Sequence, residues 1–287
     1  MISETGMFPS PDTLSDADYE FLRRTVYELS HINLGSDKRA LVSARVGKRL
    51  RALKLSSYSA YCQMLKGADG KDELGNLVDA ISTNHTHFFR EESHFDFLRN
   101  TLLPARQANS GQRAELLRVW SAACSSGEEP YTLAIVLAEF FHGTDPWHIE
   151  ATDISTRILA RAEAATYEEE KVTHVKGELL RRHFQRGTGK WEGYFRVKEA
   201  LRQRITFRHL NLLQPAYPFH SRFHVIFCRN VMIYFDRATQ EKLVAKFTEQ
   251  LEPGGHLIVG HSESLGNIRH TLRLLAPTIY QKAGANK

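Results

Sequence analysis

Four short segments hold the residues whose types and spacing could do chemistry. The first is Ser121-Ala122-Ala123-Cys124-Ser125-Ser126-Gly127-Glu128-Glu129-Pro130, a run of small residues closing on two acids. Small side chains between a strand and a helix let a ligand approach the backbone, at the carboxyl edge where open α/β sheets bind. The run contains one glycine and no Gly-Lys-Ser/Thr, so it is neither a P-loop nor a dinucleotide fingerprint. The second segment is Ala151-Thr152-Asp153, whose acid lies 26 residues beyond Gly127. A carboxylate there can accept both hydroxyls of a ribose. An Asp capping a helix that begins near Ser155 fits as well, and the two roles are compatible. Loop and acid together favour an adenosine-bearing cofactor.

The third segment, Thr83-Asn84-His85-Thr86-His87-Phe88-Phe89-Arg90-Glu91, sets polar, aromatic and arginine residues in what would otherwise be a connector. His85, His87 and nearby His94 lack an acidic metal motif, so they read as surface or packing histidines and no metal is expected. The fourth runs from Phe227 to Asp236, where an apolar stretch passes into Arg229, Asn230 and Tyr234.

These segments need a frame, and the 287-residue chain can build one. Residues 1–14 read as a flexible leader. From Ser15 to Ser82 the pattern is helical, clearest over Asp37–Lys54, where Val42, Val46, Leu50 and Leu53 recur every three or four residues on one face. ARQANSGQRA (105–114) is polar and reads as a linker or exposed loop, so 83–114 is a connecting segment. Beyond it, apolar runs alternate with helical patterns: 116–120, helix 132–140, 147–152, helix 156–165, 204–210, 223–228, helix 239–251 and 256–260. Such alternation argues for a parallel α/β sheet with helices on both faces. The charged stretch 167–203 interrupts it, and RGTGKWEGYFRV suggests a small β-hairpin or three-stranded excursion.

Composition agrees. With 42% hydrophobic and 25% charged residues, collagenous, coiled-coil and disordered classes are excluded. The three cysteines form no C-x-x-C pair, which argues against a disulfide framework and for a reducing compartment. No apolar run nears the ~18–20 residues of a membrane span, and MISETGMFPSPD lacks the features of a signal peptide. A cytoplasmic protein is expected.

Taken in order, TNHTHFFRE, VWSAACSSGEEPYTLA, ATDIS, HLNLL, IFCRNVMIYFD and LEPGGHLIVGHSESL resemble the chemotaxis receptor glutamate O-methyltransferases, the CheR family. The resemblance spans about residues 18–281. It implies a helical N-terminal domain over 15–82 and an S-adenosylmethionine-dependent methyltransferase domain over 115–287. That domain would have a doubly wound, Rossmann-like sheet and a small inserted β-subdomain. It further implies that Asn84, Thr86 and Arg90 contact the cofactor, with Glu128 in the loop and Asp153 on the ribose. Asn211 and Leu212 would flank the adenine, and Arg229 and Asn230 would lie beside the methionine portion. Arg90 and Tyr234 would sit near the transferred methyl. The implied reaction is methyl esterification of receptor glutamates in sensory adaptation.

The net charge of +5 invites nucleic acid, an anionic membrane or an acidic protein. Lys38, Arg45, Lys48, Arg49 and Arg51 surround the apolar face of the 37–54 helix. An ordinary solvated face and a docking face for an acidic receptor helix (Arg45, Lys48, Arg49) both fit. No N-P-P-Y motif or aromatic-studded basic groove accompanies them, so nucleic acid is not an expected partner. Gly187-Thr188-Gly189 resembles the β-subdomain loop of family members that bind a short peptide at the receptor's C-terminus. A monomer is expected.

Overall fold

The structure, a computed structural model, describes residues 13–82, 84–109, 115–143 and 146–284. The chain divides into two compact units, residues 1–83 and 84–287. Most of the expected leader, residues 1–12, lies outside the described residues, as does part of the expected linker, 110–114.

The first unit holds four helices: α1 (Asp16–Ser30), α2 (Arg39–Leu53), α3 (Tyr58–Lys66) and α4 (Lys71–Ile81). Ser15 caps α1 by accepting the Asp18 N–H at 3.1 Å. Leu14, assigned to the leader by sequence, is buried. Leu22, Val26, Val42, Val46, Leu50, Tyr61 and Leu77 form the core, each with no exposed surface. Leu53, expected on the same face, is exposed instead. It closes the last turn of α2, beside Lys54 in the left-handed conformation (φ 57°).

Two arginines of α2 are committed inward. Arg49 forms a bidentate pair with buried Glu73 at 2.8 and 2.6 Å, and Glu73 also accepts from the Tyr61 hydroxyl at 2.9 Å. Arg45 donates to the carbonyls of Ala80 and Ser82 at 3.3 and 2.9 Å and to that of Ile81, satisfying the end of α4. Two of the three cations expected to dock an acidic partner thus also fasten α2 to α4.

In the second unit, α5 (Glu92–Phe97), a π-turn (Leu98–Leu102) and α6 (Leu103–Asn109) come first. Phe88, Phe95 and Leu98 are fully buried in its core, so this stretch packs where a connector was expected. Then follow β1 (Leu117–Ala122), α7 (Glu128–Phe141), β2 (Trp147–Asp153) and α8 (Thr156–Ala164). The excursion contains β3 (Thr166–Glu168), α9 (Gly177–His183), β4 (Phe184–Arg186), β5 (Tyr194–Val197) and α10 (Glu199–Arg202). The chain closes with β6 (Ile205–His209), β7 (Phe223–Cys228), α11 (Arg237–Gln250), β8 (Leu251–Val259), β9 (Arg273–Ala276) and β10 (Ile279–Gln281).

The main sheet has seven strands in the order β6-β2-β1-β7-β8-β10-β9, parallel except for β10, which runs antiparallel to β8 and β9. Strand alternation splits its residues between two cores. Val119, Val225, Phe227 and Ile258 face one side with α7, while Trp120, Ile226, Cys228, Leu257 and Val259 face the other with α11. This is the doubly wound arrangement. From β1 the chain runs out through β2 to β6 and returns to β7 on β1's other side, opening a crevice at the carboxyl ends of β1 and β7. The excursion is a separate three-stranded antiparallel sheet, β3-β5-β4. The β9–β10 hairpin escaped the sequence reading because Pro277 divides two runs too short to show alternation.

Burial works against the Glu73 carboxylate, but Arg49, Tyr61 and Asn76 together hold its pKa below the ordinary 4.5. The stabilisation is thus complete above about pH 4.5 and is lost as pH falls through the lower folded value. Glu73→Gln should cost about 1–3 kcal/mol at neutral pH, read as faster amide exchange in α2 and α4. The difference from wild type should shrink below about pH 4.

Candidate active site

Five non-glycine residues with positive φ gather in the segments that follow β1 and β7 and precede α5: Ala123 (62°), Ser125 (51°), Asn230 (59°), Phe89 (57°) and Glu91 (58°). Each costs of order 1–3 kcal/mol and persists only where its surroundings over-determine it. Two hydrogen-bonded knots do so.

The first knot holds the loop after β1. Asp153, at the end of β2 and 6% exposed, accepts the Ser125 N–H on Oδ2 at 2.9 Å and the Ser155 N–H on Oδ1 at 3.0 Å. The cap of α8 is Ser155, whose Oγ accepts the Ile158 N–H, so Asp153 is left for the loop and the crevice. Ser125 Oγ reaches the Asn84 carbonyl at 3.4 Å, bringing Asn84 to the same loop. Ser126 Oγ donates to buried Glu128 at 2.6 Å, and burial pushes the Glu128 carboxyl up despite that bond. Tyr167 of the inserted sheet donates to the Ser126 carbonyl at 2.8 Å. A Cβ on Gly127 (φ 94°) would lie 2.9 Å from both the Tyr167 hydroxyl and the Ala162 Cβ, so only glycine fits there.

The second knot is built on Arg229, just past β7, whose side chain is 2% exposed. Its guanidinium donates to Glu91 Oε2 at 3.0 Å, to Glu129 Oε2 at 3.2 Å and to the Arg90 carbonyl, and lies 5.3 Å from the centroid of the Phe95 ring. Glu91 also accepts from the Asn230 amide at 3.1 Å and the His261 N–H at 3.2 Å. Burial opposes the Glu91 charge, but Asn230 and Arg229 outweigh it and hold the pKa low. In Glu129, burial prevails over Arg229 and Ser121 and the carboxyl is pushed up. Arg229 thus faces a protein network, and it fixes the main chain at Arg90. The Arg90 side chain is half-exposed, with Nη1 on the His85 carbonyl at 2.7 Å. The knots join at α7: Thr132 Oγ1 accepts the Phe89 N–H at 3.2 Å and donates to the Glu128 carbonyl at 2.7 Å.

The remaining expected residues border this edge. Asn211 and buried Leu212 follow β6, and the Leu210 N–H joins the Asp153 carbonyl at 3.0 Å. Tyr234 ends a 3₁₀ turn (Met232–Tyr234) beyond Asn230, half-buried, and Thr86 is half-buried between Asn84 and Arg90. Among the described residues no polar contact joins Thr86 or Tyr234 to either knot. Sequence gives Glu91, Glu129 and Tyr167 no role, because burial of an acid or a phenol has no periodic signature.

Glu91, His94 and His261 bring three potential metal ligands within 4.8 Å of one another. Arg229 already neutralises Glu91 on Oε2, and its charge opposes a second cation there. His94 is buried and bonded through Nε2 to Thr278 at 2.8 Å; burial and Arg229 bring its pKa down to about 3. It is a packing histidine, as its context suggested.

Residues 84–280 match the family model described as the SAM binding domain of CheR methyltransferase, and residues 17–82 match the one described as its all-alpha domain. The chemotaxis protein methyltransferase of Escherichia coli K12 is 38% identical over 269 residues, covering 93% of this chain and 91% of the relative. Chemotaxis protein methyltransferase 2 of Pseudomonas aeruginosa is 41% identical over 267 residues, covering 93% of each. The chemotaxis protein methyltransferase of Borreliella burgdorferi is 37% identical over 266 residues, covering 91% of this chain and 92% of the relative.

The residues present suit S-adenosylmethionine. The carboxylates of Asp153 and Glu128 are acceptors for hydroxyl and ammonium groups, and the small-residue loop between them lets a ligand approach the backbone. Asp153→Ala should weaken S-adenosylhomocysteine binding by roughly 1.5–3 kcal/mol, the worth of a charged acceptor. Titration calorimetry giving wild-type affinity would rule that role out.

Proposed function

The chain belongs to the CheR methyltransferase family, and on that premise we propose that it methylates glutamate side chains of chemotaxis receptors, forming γ-methyl esters. The observation that carries this reading is the presentation of Arg90. Its carbonyl is fixed by buried Arg229, its neighbours Phe89 and Glu91 are locked at positive φ, and its guanidinium is half-exposed at the edge of the cofactor crevice.

A free glutamate carboxyl has a pKa of about 4.3, so the nucleophile is already ionised and needs no general base. Bound in the crevice, S-adenosylmethionine supplies an electrophilic methyl on a sulfonium. Arg90 gives one donor to His85 and turns the rest of its fork to the substrate carboxylate, orienting it without exhausting its lone pairs. Tyr234 closes the methyl pocket or bonds the same oxygen. Exclusion of water by these side chains favours a transition state in which both charges are fading. Each ester removes one negative charge from the receptor and relieves repulsion among neighbouring acids.

For receptor recognition, the charges that support docking differ from those first expected. A groove of about 880 Å³ runs along α2, lined by Asp37, Arg39, Ala40, Ser43, Ala44 and Gly47 and flanked by Lys48 and Arg51. Small residues admit a helix at close range, and the two cations suit its acidic face. The β3-β5-β4 sheet offers edges to a receptor tail, and its Gly187 is obligatory, since a Cβ would lie 2.0 Å from the Trp191 carbonyl oxygen. Gly189 adopts φ 59° in the same loop, and Trp191 is 52% exposed.

Incubation with tritiated S-adenosylmethionine and receptor-bearing membranes should give label released as methanol by base; base-stable label would remove the glutamyl ester reading. Arg90→Ala should lower kcat by about 10²-fold with little change in melting temperature. The pair Lys48→Glu, Arg51→Glu should raise the receptor KM, leave cofactor affinity intact and remove the rise of KM with salt expected of wild type. A peptide of the receptor's last five residues should bind wild type but not Gly187→Val, without displacing S-adenosylhomocysteine; equal binding to both would sink the tail site.

A further inference from the structure

Glu263 is 5% exposed and lies four residues beyond the end of β8, within the LEPGGHLIVGHSESL segment, and was given no role of its own above. Its carboxylate accepts four backbone N–H groups. Oε2 takes Asn230 at 2.6 Å and Gly260 at 2.8 Å; Oε1 takes Met232 at 2.7 Å and Ile233 at 3.3 Å. Burying a carboxylate is costly unless every lone pair is used, and here the donors come from one short turn and the loop facing it. That turn is the one that sets Asn230 at φ 59° and ends in Tyr234. The fit is close: a Cβ on Gly260 would lie 2.6 Å from Asn230 Nδ2 and 2.7 Å from Glu263 Oε2.

We infer that Glu263 is a positioning residue for methyl transfer: it acts through the backbone of residues 230–233 to fix Asn230 and Tyr234 against the cofactor crevice. The physical case is one of over-determination. Asn230 is gripped twice, its side-chain amide by Glu91 at 3.1 Å and its backbone N–H by Glu263. An asparagine tolerates the left-handed region but does not choose it unaided. Within the same turn, Val231 (φ −122°) leads directly into the 3₁₀ residues, and the Met232 and Ile233 amides would otherwise be orphan donors at the start of that short helix. The carboxylate collects them and fixes where the next residue, Tyr234, leaves the turn. This assignment rests on the methyltransferase reading, since the geometry it protects is that of the reacting groups.

The test is Glu263→Gln in the full chain, with Gly260→Ala as a second variant that crowds the clasp without removing its charge. An amide can serve only one of the two donor pairs as acceptor and turns N–H groups toward the other. We expect kcat for receptor methylation to fall about 10²-fold, S-adenosylhomocysteine to bind more weakly, and the Met232 and Ile233 amides to lose exchange protection while the amides of β8 keep theirs. The receptor KM should stay within about twofold, because docking on α2 is untouched. Loss of protection with unchanged kcat and product affinity would overturn the proposal, as would a fall in melting temperature with normal turnover per folded molecule. If Glu263→Gln does not fold, Gly260→Ala is judged by the same readouts. Should wild type itself fail to methylate receptors, the functional reading falls, while exchange and S-adenosylhomocysteine affinity still decide whether the clasp holds the cofactor edge.

Discussion

A buried guanidinium governs this site. Arg229 is nearly removed from water, and an unpaired charge there would be untenable, so its surroundings must pair it. Glu91, Glu129 and the Arg90 carbonyl do so: Arg90 and Glu91 belong to the segment before α5 and Glu129 to the first turn of α7, and both are tied to the strand edge that carries Arg229. Satisfying one charge thereby fixes three backbone segments. The positive φ of Glu91 sets it between two of these demands, Arg229 and the Asn230 amide, while Phe89 and Asn230, also at positive φ, are held by Thr132 and Glu263.

The same logic divides labour among acids. Two carboxylates, Glu91 and Glu129, are consumed in neutralising Arg229; Glu263 is consumed by backbone N–H groups; Asp153 anchors a loop with one N–H on each oxygen. No acid in this set is arranged as a general base, which agrees with a nucleophile that arrives already ionised. Under the proposed esterification, placement rather than proton transfer is the protein's contribution.

Much of this was legible in the sequence. The alternation of apolar runs with helical patterns located the five parallel strands, and the order of motifs located the crevice, because short-range periodicity and turn composition decide both. The Thr83–Glu91 segment was recognisable as unusual before its position was known. What escaped were consequences of burial and of distance along the chain. Arg45 and Arg49 looked like surface charge until α4 supplied Glu73 and its terminal carbonyls. Glu263 and Tyr167 form their contacts across roughly thirty to forty residues, a separation at which no local pattern survives. The β9–β10 hairpin was hidden by Pro277, and Leu53 by the end of its helix.

The inserted sheet carries a consequence for how such enzymes diversify. Tyr167 of β3 supports the Ser126 carbonyl, and Phe88 packs edge-on against Tyr167 and Phe184 at centroid distances of 5.0 and 5.4 Å. The excursion is therefore a wall of the cofactor loop as well as an outward-facing surface. Whatever its outer surface binds, this subdomain cannot be discarded as an appendage, since the loop would lose its backing. If the proposed tail site holds, the outer rim, at exposed positions such as Lys190 and Trp191, is where partner choice can vary one side chain at a time, while the inner aromatic face answers to the loop it backs.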